Sequence, residues 1–406
     1  MRYYLGVDWA DREHAVWVED QHGTKIWAQT VAHTPEALSE WGRWLDEQRA
    51  AGITVWAGIE RPDGVVVDFL LDHGVLVYPI NPKALDRVRD RYRMSGAKSD
   101  PWDAQVAAGF VRTDHARLRP LQPSSEAAQE LKGLTRDAQR QIRLQTRLLN
   151  QLTAALKAYY PRALEVCGDL TAEWARAFLA AYPTPAAAAA LTRRRWERFA
   201  QTHRLSAART AEIWVLLERP QIPVPPHVVR VKARLVTALL AQLATTHAAV
   251  ETYREAIDDF FGQLPGAEVA RSLPGGKTGI TVPTLWAELG DAAGRWQSFR
   301  HLQAQGGAVP VTEASGQART VTFRFACNTA LRAAAHQLAF VSLTKSDWAR
   351  AYYRRHRQRG HSHHAALRAV AAKWLKIIFV MWTRHVPYNE THHLATIARQ
   401  QLSQLA

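Results

Sequence analysis

Four carboxylates in this chain stand where they could do phosphoryl chemistry. "GVDWA" closes a strand-like run with Asp8, and "VWAGIE" closes another with Glu60. "SGAKSDPWDA", residues 95–104, sets Asp100 and Asp103 three apart around Pro101. Acids at the ends of central strands are poorly explained by packing, because a charge there must find a partner. Arg61 is an available partner for Glu60. Helix capping alone accounts for the other two acids: Asp100 suits an N-cap, Pro101 the first turn and Asp103 a capping box. The same spacing puts both on one side of a helix. As a set, four oxygen ligands from two strands and a helix start can hold two divalent ions about 4 Å apart, the spacing used for in-line displacement at phosphorus. Hard donors of this kind suit Mg²⁺ or Mn²⁺.

The elements that must position these acids are short and regular. Residues 3–10, 14–20 and 25–31 are β-type runs joined by polar turns, an antiparallel start. Residues 36–50 carry Leu38, Trp41, Trp44 and Leu45 at helical spacing. "ITVWAGIE", residues 53–60, reads as a strand buried on both faces, followed by a helix over 65–71 and a strand over 75–80. Three meandering strands and then alternating helix and strand predict an α/β domain, a mixed sheet with helices on both faces.

"HARLRPLQPSS", residues 115–125, has the composition of a linker. Beyond it Leu131, Leu134, Ala138, Ile142, Leu149, Leu152, Leu156 and Tyr159 recur mostly three or four apart, predicting a long helix with a coiled-coil-like seam. Lys132, Arg136, Arg140, Arg143 and Arg147 follow the same period on another face. Such a stripe is either a solvated helix face or a track for a phosphate backbone. Residues 161–262 read as further helices, and the chain changes character again near residue 263. The expected domains are therefore 1–122, 123–262 and 263–406.

Net charge decides between partner classes. Lys and Arg number 52 against 37 Asp and Glu, a formal charge of +15, which favours a polyanion such as nucleic acid. No apolar run approaches the length needed to span a bilayer, and Asp8 interrupts any secretory core at the N-terminus. Cys167 and Cys327 are too few for a disulfide framework or a zinc cluster. A reduced, cytoplasmic protein is expected.

Three late segments carry further candidates. "LPGGKTGIT", residues 273–281, has the look of a helix-hairpin-helix turn, with Gly275, Gly276, Lys277 and Thr278 facing a DNA phosphate; a plain Gly-rich turn is the alternative. "GGAVPVTEASGQ", residues 306–317, holds Ser315 between Ala314 and Gly316. A turn serine would look the same, and a serine hydroxyl needs a base or a metal to become a nucleophile. Glu313 is the one acid close by in sequence. "YYRRHRQRGHSHH", residues 352–364, interleaves Arg354, Arg355, Arg357 and Arg359 with rings, which suits phosphate contact or a solvated helix end. Its histidines fit no standard zinc spacing and read as surface residues.

"GVDWA", "GIERP", "INPKALDRVRDRYRMSGAKSDPWDAQVAAGFVRTD" and "GGAVPVTEASG" together resemble the insertion-sequence one-hundred-ten family of DEDD-type transposases. The resemblance covers both ends of the chain; the middle matches only in being helical. It implies a RuvC-like, ribonuclease-H-like N-terminal domain, a helical coiled-coil-like segment and a mainly α C-terminal transposase domain. It also implies that Asp8, Glu60, Asp100 and Asp103 are the four metal-binding acids. Ser315 would be the nucleophile that forms a phosphoserine link to DNA. Donor and target DNA, an element-encoded guide RNA and a homo-oligomer, dimer or tetramer, are the partners it implies, with the seam of the long helix as one candidate interface. The function expected is that of a DNA recombinase of a mobile element. Two rivals stand beside it: a metal-dependent junction endonuclease in which Ser315 is structural, and a nucleic-acid-binding protein whose catalysis has decayed.

Overall fold

The structure, a computed structural model, describes residues 1–60, 62–92, 99–292, 294–316 and 318–403. Arg61, residues 95–98 of the "SGAKSD" motif and Gln317 lie outside the described residues. The chain forms two compact units: Met1–Pro123 with Ala292–Gly294, and Ser124–Asp291 with Arg295–Ala406.

In the first unit β1 (Arg2–Trp9), β2 (Glu13–Glu19), β3 (Lys25–Ala32), β4 (Thr54–Ile59) and β5 (Leu76–Pro79) form one sheet in the order β3-β2-β1-β4-β5. β1, β2 and β3 pair antiparallel; β1, β4 and β5 pair parallel. The mixed sheet is the one the hydrophobic runs predict; its strand order comes from the structure. Alternation sorts the side chains. Leu5, Val7, Val55, Ala57 and Ile59 point to one face and pack with Trp41 and Leu45 of α1 (Pro35–Ala50) and Val66, Val67 and Leu70 of α2 (Val65–Asp72).

The other face receives α4 (Asp100–Asp114), which follows α3 (Pro82–Tyr92). Tyr4, Tyr78 and Ile80 pack there with Val106, Ala107 and Val111. Gly6 and Gly58 lie opposite each other across β1 and β4. A Cβ on Gly6 would come within 1.8 Å of the Ala104 carbonyl oxygen, and one on Gly58 within 2.7 Å of that of Ala107. Two side-chain-free positions thus let the α4 backbone rest directly on the sheet.

The second unit is helical apart from one hairpin. α5 (Glu126–Tyr159) leads into five shorter helices: α6 (Pro161–Cys167), α7 (Glu173–Ala181), α8 (Pro185–Ala189), α9 (Arg193–Thr202) and α10 (Ala207–Glu218). α11 (Pro226–Gln263) then returns alongside α5. Leu131 and Ala138 of α5 share a core with Ile257 and Phe261 of α11, while Leu148, Leu152 and Leu156 share another with Val236, Leu239 and Leu243. The two helices are therefore antiparallel. The seam, one candidate subunit interface, is filled by the apolar stripe of α11 in the same chain, and Gln145 and His247 hydrogen-bond across the pair.

The rest comprises α12 (Ala267–Arg271), α13 (Thr281–Leu289), α14 (Phe299–Gln305), the hairpin β6 (Val311–Ser315) and β7 (Ala318–Thr322), then α15 (Thr329–Lys345), α16 (Asp347–Gln358), α17 (His363–Arg384) and α18 (Glu390–Ser403). Trp374 and Leu375 of α17 are fully buried at the centre of its core. Polar residues set the helix starts: Asn328, Ser346 and Ser362 accept backbone N–H groups of α15, α16 and α17. Among the described residues no helix is long and apolar enough to cross a membrane.

Candidate functional site

Strand parity decides which acids meet. Side chains two apart share a face, so Asp8 goes with Gly6 and Glu60 with Gly58, on the side that α4 covers. α4 runs against the strands. The His115 ring just past its end lies 4.8 Å from Trp56 and 6.4 Å from Tyr4, whereas Ala104, near its start, lies over Gly6. The first turn of α4, with Asp100 and Asp103, is carried in this way to the strand ends that hold Asp8 and Glu60.

Ser99 takes the N-cap position of α4 without a side-chain cap bond, so Asp100 is the first helical residue rather than the cap. Asp103 is buried, at 3 % exposure; Asp8 and Glu60 are half-buried, and Asp100 is exposed. A residue that pattern-reading passed over joins them. Arg89 of α3 donates from Nε to Asp103 Oδ1 at 2.6 Å and from one Nη to Glu60 Oε1 at 3.4 Å, and also pairs with Asp86. It lies 14 and 29 residues from Asp103 and Glu60, on a different element from either, so no local signal announces it. Asp8 has an interaction of its own.

The donor set is oxygen only, which fits a hard divalent cation. A cation, the Arg89 guanidinium, already lies between two of the acids. Among the described residues no three His, Cys, Asp or Glu side chains gather closely enough to hold one ion. A metal ion held by Glu60 and Asp103 together therefore requires Arg89 to withdraw.

In the second unit Ser315 is the last residue of β6 and faces Ala318 across the turn, where Gly316 has φ +56°. Ser315 lies on a strand, not in an irregular loop as its flanking residues suggest. Every residue of β6 and β7 except Val311 is exposed, so Ser315 is open to a large partner. "LPGGKTGIT" forms a glycine turn between α12 and α13, with Gly275 and Gly276 packed inward and Lys277 and Thr278 exposed.

The basic stripe of α5 divides. Arg136 turns inward and grips the fully buried Glu288 of α13, Nε to Oε1 at 2.8 Å and an Nη to Oε2 at 3.2 Å. Asn328 donates to the same Oε2 at 2.7 Å. Arg140 pairs with Asp137 at 2.6 Å and stays exposed, as do Arg143 and Arg147; Lys132 is half-buried and engaged. Arg354, Arg355, Arg357 and Arg359 are exposed at the end of α16, with His361, His363 and His364 exposed beyond them.

Residues 5–161 match the DEDD family model of IS110 elements described as "Transposase", and residues 267–354 match the model described as "Transposase IS116/IS110/IS902 family". The chain is 34% identical over 388 residues, 92% of each chain, to the "Mini-circle putative transposase for IS117" of Streptomyces coelicolor. It is 27% identical over 411 residues to the "Insertion element IS900 uncharacterized 42 kDa protein" of Mycobacterium paratuberculosis, covering 95% of this chain and 97% of the other.

Proposed function

This chain belongs to the IS116/IS110/IS902 family of transposases, and we propose that it excises and inserts its mobile element by cutting and rejoining DNA through a transient bond to Ser315. One observation supports the reading above the rest. Glu60 and Asp103, from different elements, converge on a single cation at the strand end next to that of Asp8. On this reading the first unit is RuvC-like, and Asp8, Glu60, Asp100 and Asp103 hold Mg²⁺ or Mn²⁺. A divalent ion held there would supply Lewis-acid polarisation of the scissile phosphate and charge stabilisation at the leaving oxygen. Arg89 keeps the buried Asp103 charge compensated until then.

Ser315 Oγ attacks phosphorus and gives up its proton to a base; the bond to one sugar oxygen breaks, and that oxygen leaves as a hydroxyl. Glu313, two residues back on β6, shares a face with Ser315 and is the acid closest along the strand. A hydroxyl end from the second duplex then attacks the phosphoserine, and Ser315 recovers its proton. One phosphoester replaces another at each step, so no nucleotide hydrolysis is required. Base pairing by an element-encoded structured RNA supplies the specificity, in keeping with the absence of a base-reading motif in the sequence. Arg140, Arg143 and Arg147 on α5, Lys277 and Thr278 in the glycine turn, and Arg354 and Arg355 on α16 are the proposed backbone contacts. Exchange between two duplexes calls for a dimer or tetramer.

The test is to incubate protein, element-derived RNA, matching DNA and Mg²⁺, denature, and look for DNA linked to protein. The reading expects an adduct that is lost in both Ser315→Ala and Asp8→Ala. Cleavage without any adduct, retained in Ser315→Ala, would mean a hydrolytic nuclease instead.

A further inference from the structure

At the base of the serine hairpin the second unit has an open cavity of about 600 Å³. Val309 and Pro310 enter it just before β6, and Val321 and Thr322 from the end of β7. Its charged lining is of one sign: Arg324, Arg368, Lys373 and Lys376, with the His356 and His361 rings beside them and no carboxylate among the described lining residues. Its ring faces come from Phe299, Phe323 and Tyr352.

These two sets are interleaved. The Arg368 guanidinium lies 5.1 Å from the Phe323 ring centre, Lys376 Nζ 4.9 Å from that of Phe299, and Lys373 Nζ 5.6 Å from that of Tyr352. Each of the three cations therefore rests on a ring rather than on an acid. Arg324 differs: it donates to the Val309 carbonyl at 3.2 Å and so ties the strand leading into β6. Burial and the nearby His361, Arg359 and Arg355 hold the His356 imidazole below its ordinary pKa, as expected in a strongly positive hollow.

We infer that this cavity receives one unstacked nucleotide of the DNA strand being exchanged, its base against the rings and its phosphate on Arg368, Lys373 and Lys376. Volume, ring faces and a surplus of cations together match an anionic aromatic group, and the size lies within the range of small-molecule sites. Only a base out of the duplex fits, because one inside it has both ring faces covered by its stacked neighbours. The hairpin links the cavity to the serine: β6 spans five residues from Val311 to Ser315, four steps or about 13 Å at strand rise, some four nucleotides of B-form strand. Strands must unpair to change partners, and a captured base would hold one open. The inference rests on the DNA-cutting reading above and concerns DNA rather than the guide RNA, since the hairpin carries the residue proposed to bond to DNA.

The test is photo-cross-linking with the full-length Ser315→Ala protein, which keeps the strand uncut, and its element-derived RNA. DNA substrates carry 5-iodouracil at each of the six positions flanking the cut site, in paired and unpaired form, and the linked peptide is mapped by mass spectrometry. The expected result is linkage to Phe299, Phe323 or Tyr352 from one or two unpaired positions, undiminished by millimolar free nucleotide. Phe323→Leu and Arg368→Ala should each weaken binding of the unpaired substrate roughly tenfold, with the paired substrate little changed. Linkage of these rings to RNA alone, efficient competition by a free mononucleotide, or linkage only outside the cavity would each overturn the inference. A serine adduct in the wild type without cavity linkage would leave the Ser315 reading standing; cavity linkage without an adduct would do the reverse.

Discussion

Arg89 donates from Nε to the buried Oδ1 of Asp103 at 2.6 Å, tying α3 to the first turn of α4 at the strand ends. On the proposed reading a metal ion at Asp103 would compete with this guanidinium for the same oxygen.

Removing Arg89 should therefore separate stability from metal affinity. Arg89→Ala leaves a buried carboxylate without this partner, at a cost on the order of 3 kcal/mol to the metal-free protein. Mn²⁺ should bind the variant more tightly than the wild type and restore much of the lost melting temperature. Calorimetric titration and thermal melts with and without Mn²⁺ read both. A variant that melts like the wild type without metal, or binds Mn²⁺ more weakly, would sink the idea.

Gly6→Ala should displace α4 from the sheet, because the new methyl meets helix backbone that cannot swing aside. Overpacking of this kind costs about 1–3 kcal/mol or more. The acids of α4 move with the helix, so DNA cleavage should be lost at temperatures where the variant is still folded. Gly133→Ala, in α5 with open space at its Cβ, is the counterpart and should stabilise by up to about 1 kcal/mol. Circular dichroism melts of the two variants should move in opposite directions.

Arg136 and Arg143, two turns apart on one helix, should behave differently. Arg136→Ala strips the fully buried Glu288 of its bidentate cation and should cost roughly 3–5 kcal/mol. The double change Arg136→Met with Glu288→Leu should recover much of it. Arg143→Ala should leave the melting temperature within about 0.5 kcal/mol of the wild type and reduce the salt dependence of RNA or DNA binding. Equal stability of the two single variants would remove the basis for treating them separately.

The fold should lose stability in mild acid through His14. Burial, and then the facing His33 at 2.9 Å, hold the His14 imidazole below its ordinary pKa. The folded state therefore prefers the neutral ring. Its contribution is complete above the unfolded pKa of about 6.5 and is lost as pH falls toward the folded value. His336, His356 and His393 are shifted in the same direction and add to the trend. The melting temperature should fall between pH 7 and pH 5, and His14→Leu should flatten the curve. An unchanged slope in that variant would assign the effect elsewhere.

Much of this architecture was legible because it is written in short periods. The β-type runs "YYLGVDWA" and "ITVWAGIE" mark two strands of the sheet, and once they are paired, parity along them puts Asp8 and Glu60 on one face. Arg89 was not legible, since its place depends on how α3 docks. Arg136 shares the stripe period of Arg140 and Arg143, yet it borders the buried Leu131, Thr135 and Ala138 and meets a carboxylate 152 residues away. The serine hairpin escaped notice for a different reason. Both its faces are exposed, so it lacks the apolar alternation that marks a half-buried strand.

α5 and α11 pass through both cores of the second unit, and neither core is complete without them. At 34 and 38 residues they extend about 51 and 57 Å. They act as a shared spine rather than a tether, so the two cores should melt in one transition. A fragment begun at residue 263 would uncover the patch that Leu131, Ala138, Ile257 and Phe261 occupy. To obtain the serine-bearing part alone, an experimenter would have to keep both rods and trim only what lies between them.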